Sequence, residues 1–238
     1  MAFFVALGVW QLRRRQEKIA QLDAVAATLA QRKPLPLVRT AWNESRKDTY
    51  DWVVGTGAFV SRPPILLDNQ IRDGRVGVQV YRIFGMEKPD WSMGGSILVD
   101  FGWLPLPENR VLPDLHFPVS NRITVSGLLS PPPASGFSLG QVATLHQNAW
   151  LATRIDLDAL APKVLEWVPA WKPKLAPRVL RLDPSLPMGF ARDLVVLPNT
   201  LPPSRHLGYA VQWFGFALVA LIIFIGKHWR KAETIDNE

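Results

Sequence analysis

Hydrophobic and polar positions divide the chain into three kinds of stretch. Near the C-terminus, Leu207 to Gly226 run for twenty residues without a formal charge. At about 1.5 Å rise per residue, a helix of that length matches a hydrocarbon core roughly 30 Å thick. The pattern therefore predicts a transmembrane helix over 205–226. Lys227, Arg230 and Lys231 crowd its far end, with Trp229 as an aromatic anchor. Such a basic flank marks the cytoplasmic side, or the matrix of a mitochondrion, so 227–238 read as a cytoplasmic tail. At the other terminus, MAFFVALGVW offers about nine apolar residues, too few to span. Residues 1–12 read as the end of a first transmembrane helix, either naturally short or lacking its beginning. A signal peptide fits less well, because the charges follow the apolar run and no small-residue cleavage site is present.

The second kind of stretch is amphipathic. After Arg13, Arg14, Arg15 and Lys18, apolar residues recur at Ile19, Leu22, Val25, Ala26 and Leu29. That spacing predicts a helical connector over 13–33, stopped by Pro34 and Pro36. Arg13 to Arg15 read as interfacial charges that snorkel to the headgroup level, or as partners for an anion at the same depth.

The third kind fills 34–204 and has the signature of β structure. Eight short segments are rich in Val, Ile, Leu and aromatics: YDWVVGTGAFV, PILLDNQ, RVGVQVYRIF, GGSILVDFGWLPL, NRITVSGLLS, AWLATRIDL, RVLRLD and FARDLVVLP. Breakers such as Asn69, Asp73-Gly74 and Pro131 to Pro133 separate them. One short helix is expected at Asp156 to Leu160, with Asp156 as N-cap and Pro162 as its end. WVPAWKPKLAP reads as an extended loop. The expected fold is mainly β, an antiparallel β-barrel or sandwich-like extramembrane domain flanked by a short N-terminal and a C-terminal transmembrane helix.

Composition narrows the possibilities. The formal net charge of +7 sits largely beside the apolar segments, as membrane-flanking bases do. No basic stripe interleaved with aromatics appears, which argues against nucleic-acid binding. The chain has no cysteine, so disulfides, thiolate metal sites, covalent haem attachment and cysteine nucleophiles are all excluded. Its four methionines are dispersed, which disfavours a copper chaperone. His116 near Asp114 and His146 near Ser138 come with neither a nucleophile turn nor a metal-ligand spacing, so no hydrolytic site is expected. Asp68, Asp100 and Asp183 read as structural.

Several motifs resemble the surfeit locus protein 1 family. They are Gly8-x-Trp10-Gln11-x-x-Arg14-x-x-x-Lys18, Leu98 to Pro105 around Gly102-Trp103, Asn148-Ala149-Trp150 through Asp156, and Asn199 followed by His206-Leu207-Gly208-Tyr209-Ala210-x-x-Trp213-Phe214-Gly215. The chain departs from the family pattern at Phe101, Ser204-Arg205 and Gly208. The resemblance implies two transmembrane helices around a domain on the periplasmic side of a bacterial inner membrane, or on the intermembrane-space side of the mitochondrial one. It implies a non-enzymatic role in assembling haem-copper cytochrome c oxidase, with haem a held transiently for the catalytic subunit and haem a synthase as a further partner.

On that reading His206 is the candidate axial ligand of haem iron, neutral at pH 7 and placed at the lipid boundary. Trp213 lies two turns further on the same face, with Tyr209 and Ala210 between them. Arg205 and Arg14 are candidates to pair propionates, and Trp10 and Gln11 complete the expected cofactor surface. Gly208, Gln212 and Gly215 form a different face, expected to pack on the first helix or on an oxidase subunit. The bland readings stand beside these: His206 as an interfacial polar group, and Trp10 and Trp213 as belt or packing aromatics. A haem-free scaffold for an oxidase subunit is the alternative function. An enzyme acting on lipid or cell wall finds no supporting constellation.

Overall fold

A computed structural model describes residues 1–88, 90, 92–115, 117, 121–133, 141–166, 174–196 and 201–235. These fall into two units, Met1–Ala24 with Thr200–Glu238, and Val25–Asn199. The loop expected over WVPAWKPKLAP lies outside the described residues from Trp167 to Pro173.

Helix α1 (Ala2–Gln31) is one continuous element of 30 residues. The short first helix and separate connector expected from the sequence are thus a single long helix. Between Gly8 and Pro34 no residue breaks helical backbone, so the apolar start and the amphipathic continuation propagate together. It stops at Arg32, whose φ of 41° leaves the helical region, two residues before Pro34. Helix α4 (Pro203–Ile235) spans 33 residues. Within it, Pro203–His228 is the only stretch among the described residues long and apolar enough to cross a membrane. The cluster from Arg13 to Lys18 denies α1 that property.

The unit Val25–Asn199 contains β1 (Leu35–Pro36), α2 (Leu37–Ala41), β2 (Asp51–Phe59), β3 (Ile65–Arg72), β4 (Arg75–Glu87), β5 (Met93–Pro105), β6 (Ile123–Ser130), β7 (Ala143–His146), β8 (Ala149–Ala152), α3 (Leu157–Val164) and β9 (Leu175–Leu182). The sheet order is β1-β2-β6-β9-β5-β4-β3-β8-β7, and a further β2–β4 pairing closes five of these strands into a barrel. Closure removes the exposed strand edges that an open sheet would present. The barrel is not wholly antiparallel as expected. β5 pairs with β9 in parallel, and so do β1 with β2 and β3 with β8. α3 lies between β6 and β9 in the chain and supplies part of the crossover that a parallel pair requires.

Local chemistry accounts for most of the elements. Asp73 and Gly74 take φ of 50° and 74°, the conformation a two-residue hairpin needs between β3 and β4. Asn69, expected as a breaker, instead sits inside β3 with φ of 55°, at the register shift between Leu67 and Gln70. Asp156 caps α3 by accepting from the Ala159 amide at 3.1 Å. Pro162 does not end that helix but lies inside it. The burial of Leu157, Leu160, Ala161 and Val164 holds the last turn in place despite the missing donor. β9 begins earlier than expected and includes Pro177, which falls at the β5–β9 register shift between Ser96 and Leu98.

FARDLVVLP does not form a strand. Only Ala191 bridges to β5, through Trp103, because β9 and β4 already occupy both edges of β5. The alternation along β4 separates two apolar clusters. Val78, Val80, Phe84 and Met86 join Val53, Val99, Val125 and Leu180 in the barrel interior. Tyr81 and Ile83 face outward and pack with Leu98, Val179 and α3.

Barrel closure depends on Gly57 of β2. A Cβ there would lie 2.0 Å from the Gly85 carbonyl oxygen of β4 and 2.8 Å from the Phe84 ring. Because the obstacle is backbone, Gly57→Ala is expected to destabilise the barrel by roughly 1–3 kcal/mol or more. A denaturant midpoint unchanged from wild type would contradict this close approach.

Candidate functional site

The unit formed by Met1–Ala24 and Thr200–Glu238 is an antiparallel pair of helices. On α1 the less exposed positions are Phe4, Gly8, Gln11, Arg15 and Lys18, and on α4 they are Pro203, His206, Ala210, Trp213 and Ala217. Both sets follow the alternating spacing of three and four residues that makes a heptad seam. Contacts fix the direction. Phe4 stacks on Trp213, with ring centroids 6.0 Å apart and planes 17° from parallel, and meets Phe216 edge to face at 5.9 Å. A Cβ on Gly8 would lie 2.7 Å from the Phe214 ring, so glycine is what lets the helices approach there. At the other end of the seam, Lys18 Nζ donates to the Leu201 carbonyl at 2.5 Å.

His206 lies in the middle of this seam and is only 7% exposed. Its Nδ1 donates to Gln11 Oε1 at 2.7 Å. With the ring proton held on Nδ1, Nε2 carries the lone pair. That Nε2 is buried and has no hydrogen-bond partner. A buried polar atom left unpaired costs free energy, so its retention calls for a reason. An imidazole whose tautomer is fixed through one nitrogen while the other is left free is the arrangement found in metal-ligating histidines. The donor chemistry therefore fits an axial ligand of haem iron. Because Nε2 is sealed within the seam, an iron atom reaches it only when the side chains covering it move aside.

The other expected site residues are distributed differently. Trp213 and Ala210 share the seam with His206, whereas Tyr209 is 41% exposed and Trp10 52% exposed, both off the seam. Arg205 is exposed. Arg14 is also exposed and pairs with Glu17 at 2.8 Å. The structure thus brings together Gln11, His206 and Trp213, and leaves Trp10, Arg14, Arg205 and Tyr209 around them on open surface. Packing of Gly208, Gln212 and Gly215 on the first helix is not observed. A Cβ built on either glycine meets no atom within 4 Å, because the heptad seam turns that face away from α1. Asn199 and His116 lie outside the described residues, as does Ser138.

The barrel offers no competing catalytic centre. A cleft of about 120 Å³ is lined by Gln79, Tyr81, Asp100 and Arg181 among others, but most of its polar groups are already engaged. Asp100 accepts from Gln79 at 2.5 Å and from the Gly102 amide at 3.1 Å, and lies 3.7 Å from Arg181. Burial raises its carboxyl above the ordinary value, against the pull of Arg181. Among the described residues no cluster of histidine and carboxylates is placed to hold a metal ion. Sequence reasoning overlooked two features of this unit, the ion pair of Arg178 with Asp51 and the isolated Arg82. For Arg82 the signal was present in RVGVQVYRIF, where a basic residue takes an interior position between Val80 and Phe84.

No curated protein matches this chain by sequence. Residues 1–218 match the family model described as the SURF1 family, and the chain therefore belongs to that family of membrane-associated cytochrome oxidase assembly factors.

Proposed function

We propose that this chain holds haem a at the membrane edge during assembly of haem-copper cytochrome c oxidase and assists its insertion into the catalytic subunit. The observation that carries the reading is His206, with Nδ1 fixed by Gln11 and Nε2 buried without a partner. Bound there, haem a would be cargo rather than a catalytic group of this protein. Gln11 keeps the lone pair of His206 directed away from its own hydrogen bond. The rings of Phe4, Trp213 and Phe216 supply an apolar wall beside it. Arg14 and Arg205, exposed nearby in sequence, are suited to carboxylate pairing. The barrel is placed on the periplasmic or intermembrane-space side, on the strength of the basic flank at Lys227.

One observation favours the haem-free scaffold instead. Trp213 is stacked on Phe4, and Nε2 is closed off by the same helix packing. The two readings separate in an absorption spectrum of the full chain produced together with a haem a biosynthetic pathway. A haem a spectrum in near-stoichiometric amount is expected. An empty spectrum from protein that still co-purifies with an oxidase subunit would establish the scaffold.

A further inference from the structure

Two arginines point into the barrel, and their surroundings are opposite. Arg178 is fully buried and donates to Asp51 at 2.7 Å and to the carbonyls of Thr49 and Leu129 at 2.6 and 3.0 Å. Arg82, 6% exposed, stands on β4 between Val80 and Phe84 on the interior face. It pairs with no carboxylate and donates to no acceptor among the described residues. Its guanidinium carbon lies 4.1 Å from the Phe117 ring centroid, 4.6 Å from Phe59 and 5.1 Å from Phe101. Cation–π contacts offset part of the cost of burying a charge, but they leave its N–H groups unsatisfied. Both Nε and Nη2 are buried without a partner. Those two N–H groups form one edge of the guanidinium fork, the edge that grips a carboxylate or phosphate through two parallel hydrogen bonds.

The route to that edge is also visible. Phe117 is the ring nearest the guanidinium, and on its other side it lines a surface cleft of about 240 Å³ bounded by Ser61, Pro63, Pro64 and Leu115. The cleft wall is largely apolar. A single side-chain rotation of Phe117 would join the cleft to the free edge of Arg82. An interior cation with no acid, a ring between it and a cleft, and an apolar cleft wall together describe a site for an amphipathic anion.

We infer that the barrel binds a small ligand with an apolar body and one carboxylate or phosphate group, the anionic group held by Nε and Nη2 of Arg82 and the body lying in the cleft beyond Phe117. This site is independent of His206, and its test leaves the haem reading untouched. Calorimetric titration of the full chain in lipid nanodiscs, referenced to empty nanodiscs, compares hexanoate, hexyl phosphate and hexanol. Saturable one-to-one binding of an anion is expected, with no binding of hexanol. The tighter of hexanoate and hexyl phosphate identifies the headgroup chemistry.

Arg82→Met should weaken anion binding at least tenfold while the protein still unfolds cooperatively. Arg82→Lys keeps the charge but loses the fork, and should also weaken binding; it decides the matter if the methionine variant fails to fold. Phe117→Ala should tighten binding by opening the path. Failure of both anions to bind either wild type or Phe117→Ala would overturn the site. So would wild-type affinity in a folded Arg82 variant, or equal binding of hexanol.

Discussion

His206→Ala is expected to strip haem a from the purified protein almost completely while leaving the chain folded and in the membrane. The ring contributes one hydrogen bond to the seam, to Gln11, whereas Phe4, Gly8, Phe214 and Lys18 fix the helix pair through other contacts. Loss of the ligand should therefore far exceed loss of structure. Gln11→Leu is the more discriminating companion. It preserves His206 but removes the acceptor that fixes the ring tautomer, and outer partners of this kind typically contribute 10–100-fold to ligand affinity. Haem a content, read from the absorption spectrum per mole of protein, should fall in the order wild type, Gln11→Leu, His206→Ala. Unchanged haem a in the alanine variant would remove His206 as the ligand. A drop in His206→Ala without any in Gln11→Leu would leave the ligand in place but deny the amide its positioning role.

Asp51→Ala should be among the most damaging single changes in the barrel. Asp51 is 5% exposed and accepts from Arg178 at 2.7 Å, while Arg46 pairs with it from the surface through Nε at 3.2 Å and through Nη2. Removing the carboxylate leaves Arg178 as an uncompensated charge at full burial, which costs about 3–5 kcal/mol in comparable pairs. The double variant Asp51→Leu with Arg178→Met should recover part of that loss, since apolar groups of similar volume replace both charges. The check is chemical denaturation followed by the β-sheet signal in circular dichroism. A loss below about 1 kcal/mol for Asp51→Ala would mean that the pair contributes no more than a surface ion pair.

The same group sets a pH dependence. Burial alone would raise the Asp51 carboxyl, but hydrogen bonds and charges from Arg46 and Arg178 outweigh it and hold the carboxyl below its ordinary value. The folded state therefore gives up this proton more readily than the unfolded chain does. Its stabilisation is present above the unfolded carboxylate value, about 4, and fades as pH falls through the lower folded value. Asp51→Asn should flatten that acid limb of the stability profile. An identical limb in the variant would assign it to other carboxylates.

What could be read without coordinates was whatever short-range pattern specifies. The apolar length of Leu207 to Gly226 has one structural solution, and the hairpin turn at Asp73-Gly74 has few, so both were legible. The β character of 51–130 followed from Val, Ile and aromatic runs between breakers. Misreadings occurred where a distant partner decided the outcome. Residues 190–196 have strand composition but find the edges of β5 already taken. Pro162 has breaker chemistry but sits in a helix whose buried side chains outweigh one missing donor. Within the candidate site, the residue types and the family motif led to Gln11, His206 and Trp213. The motif did not separate them from Trp10, Arg14, Arg205 and Tyr209, which the structure leaves exposed.

The sequence by itself determined a membrane-length helix, a β-rich domain, the absence of thiol chemistry and, through residues 1–218, the family. Each of these rests on composition or on spacing within a few turns or strands, where chain geometry leaves little freedom. Only the tertiary structure decided that β5 and β9 run parallel, that α1 is continuous, and that His206 rather than Gly208 and Gly215 faces the first helix. It also decided that Arg178 meets an acid while Arg82 meets rings. In every such case the deciding contact joins residues far apart in the chain, and a local pattern carries no record of what will lie opposite it.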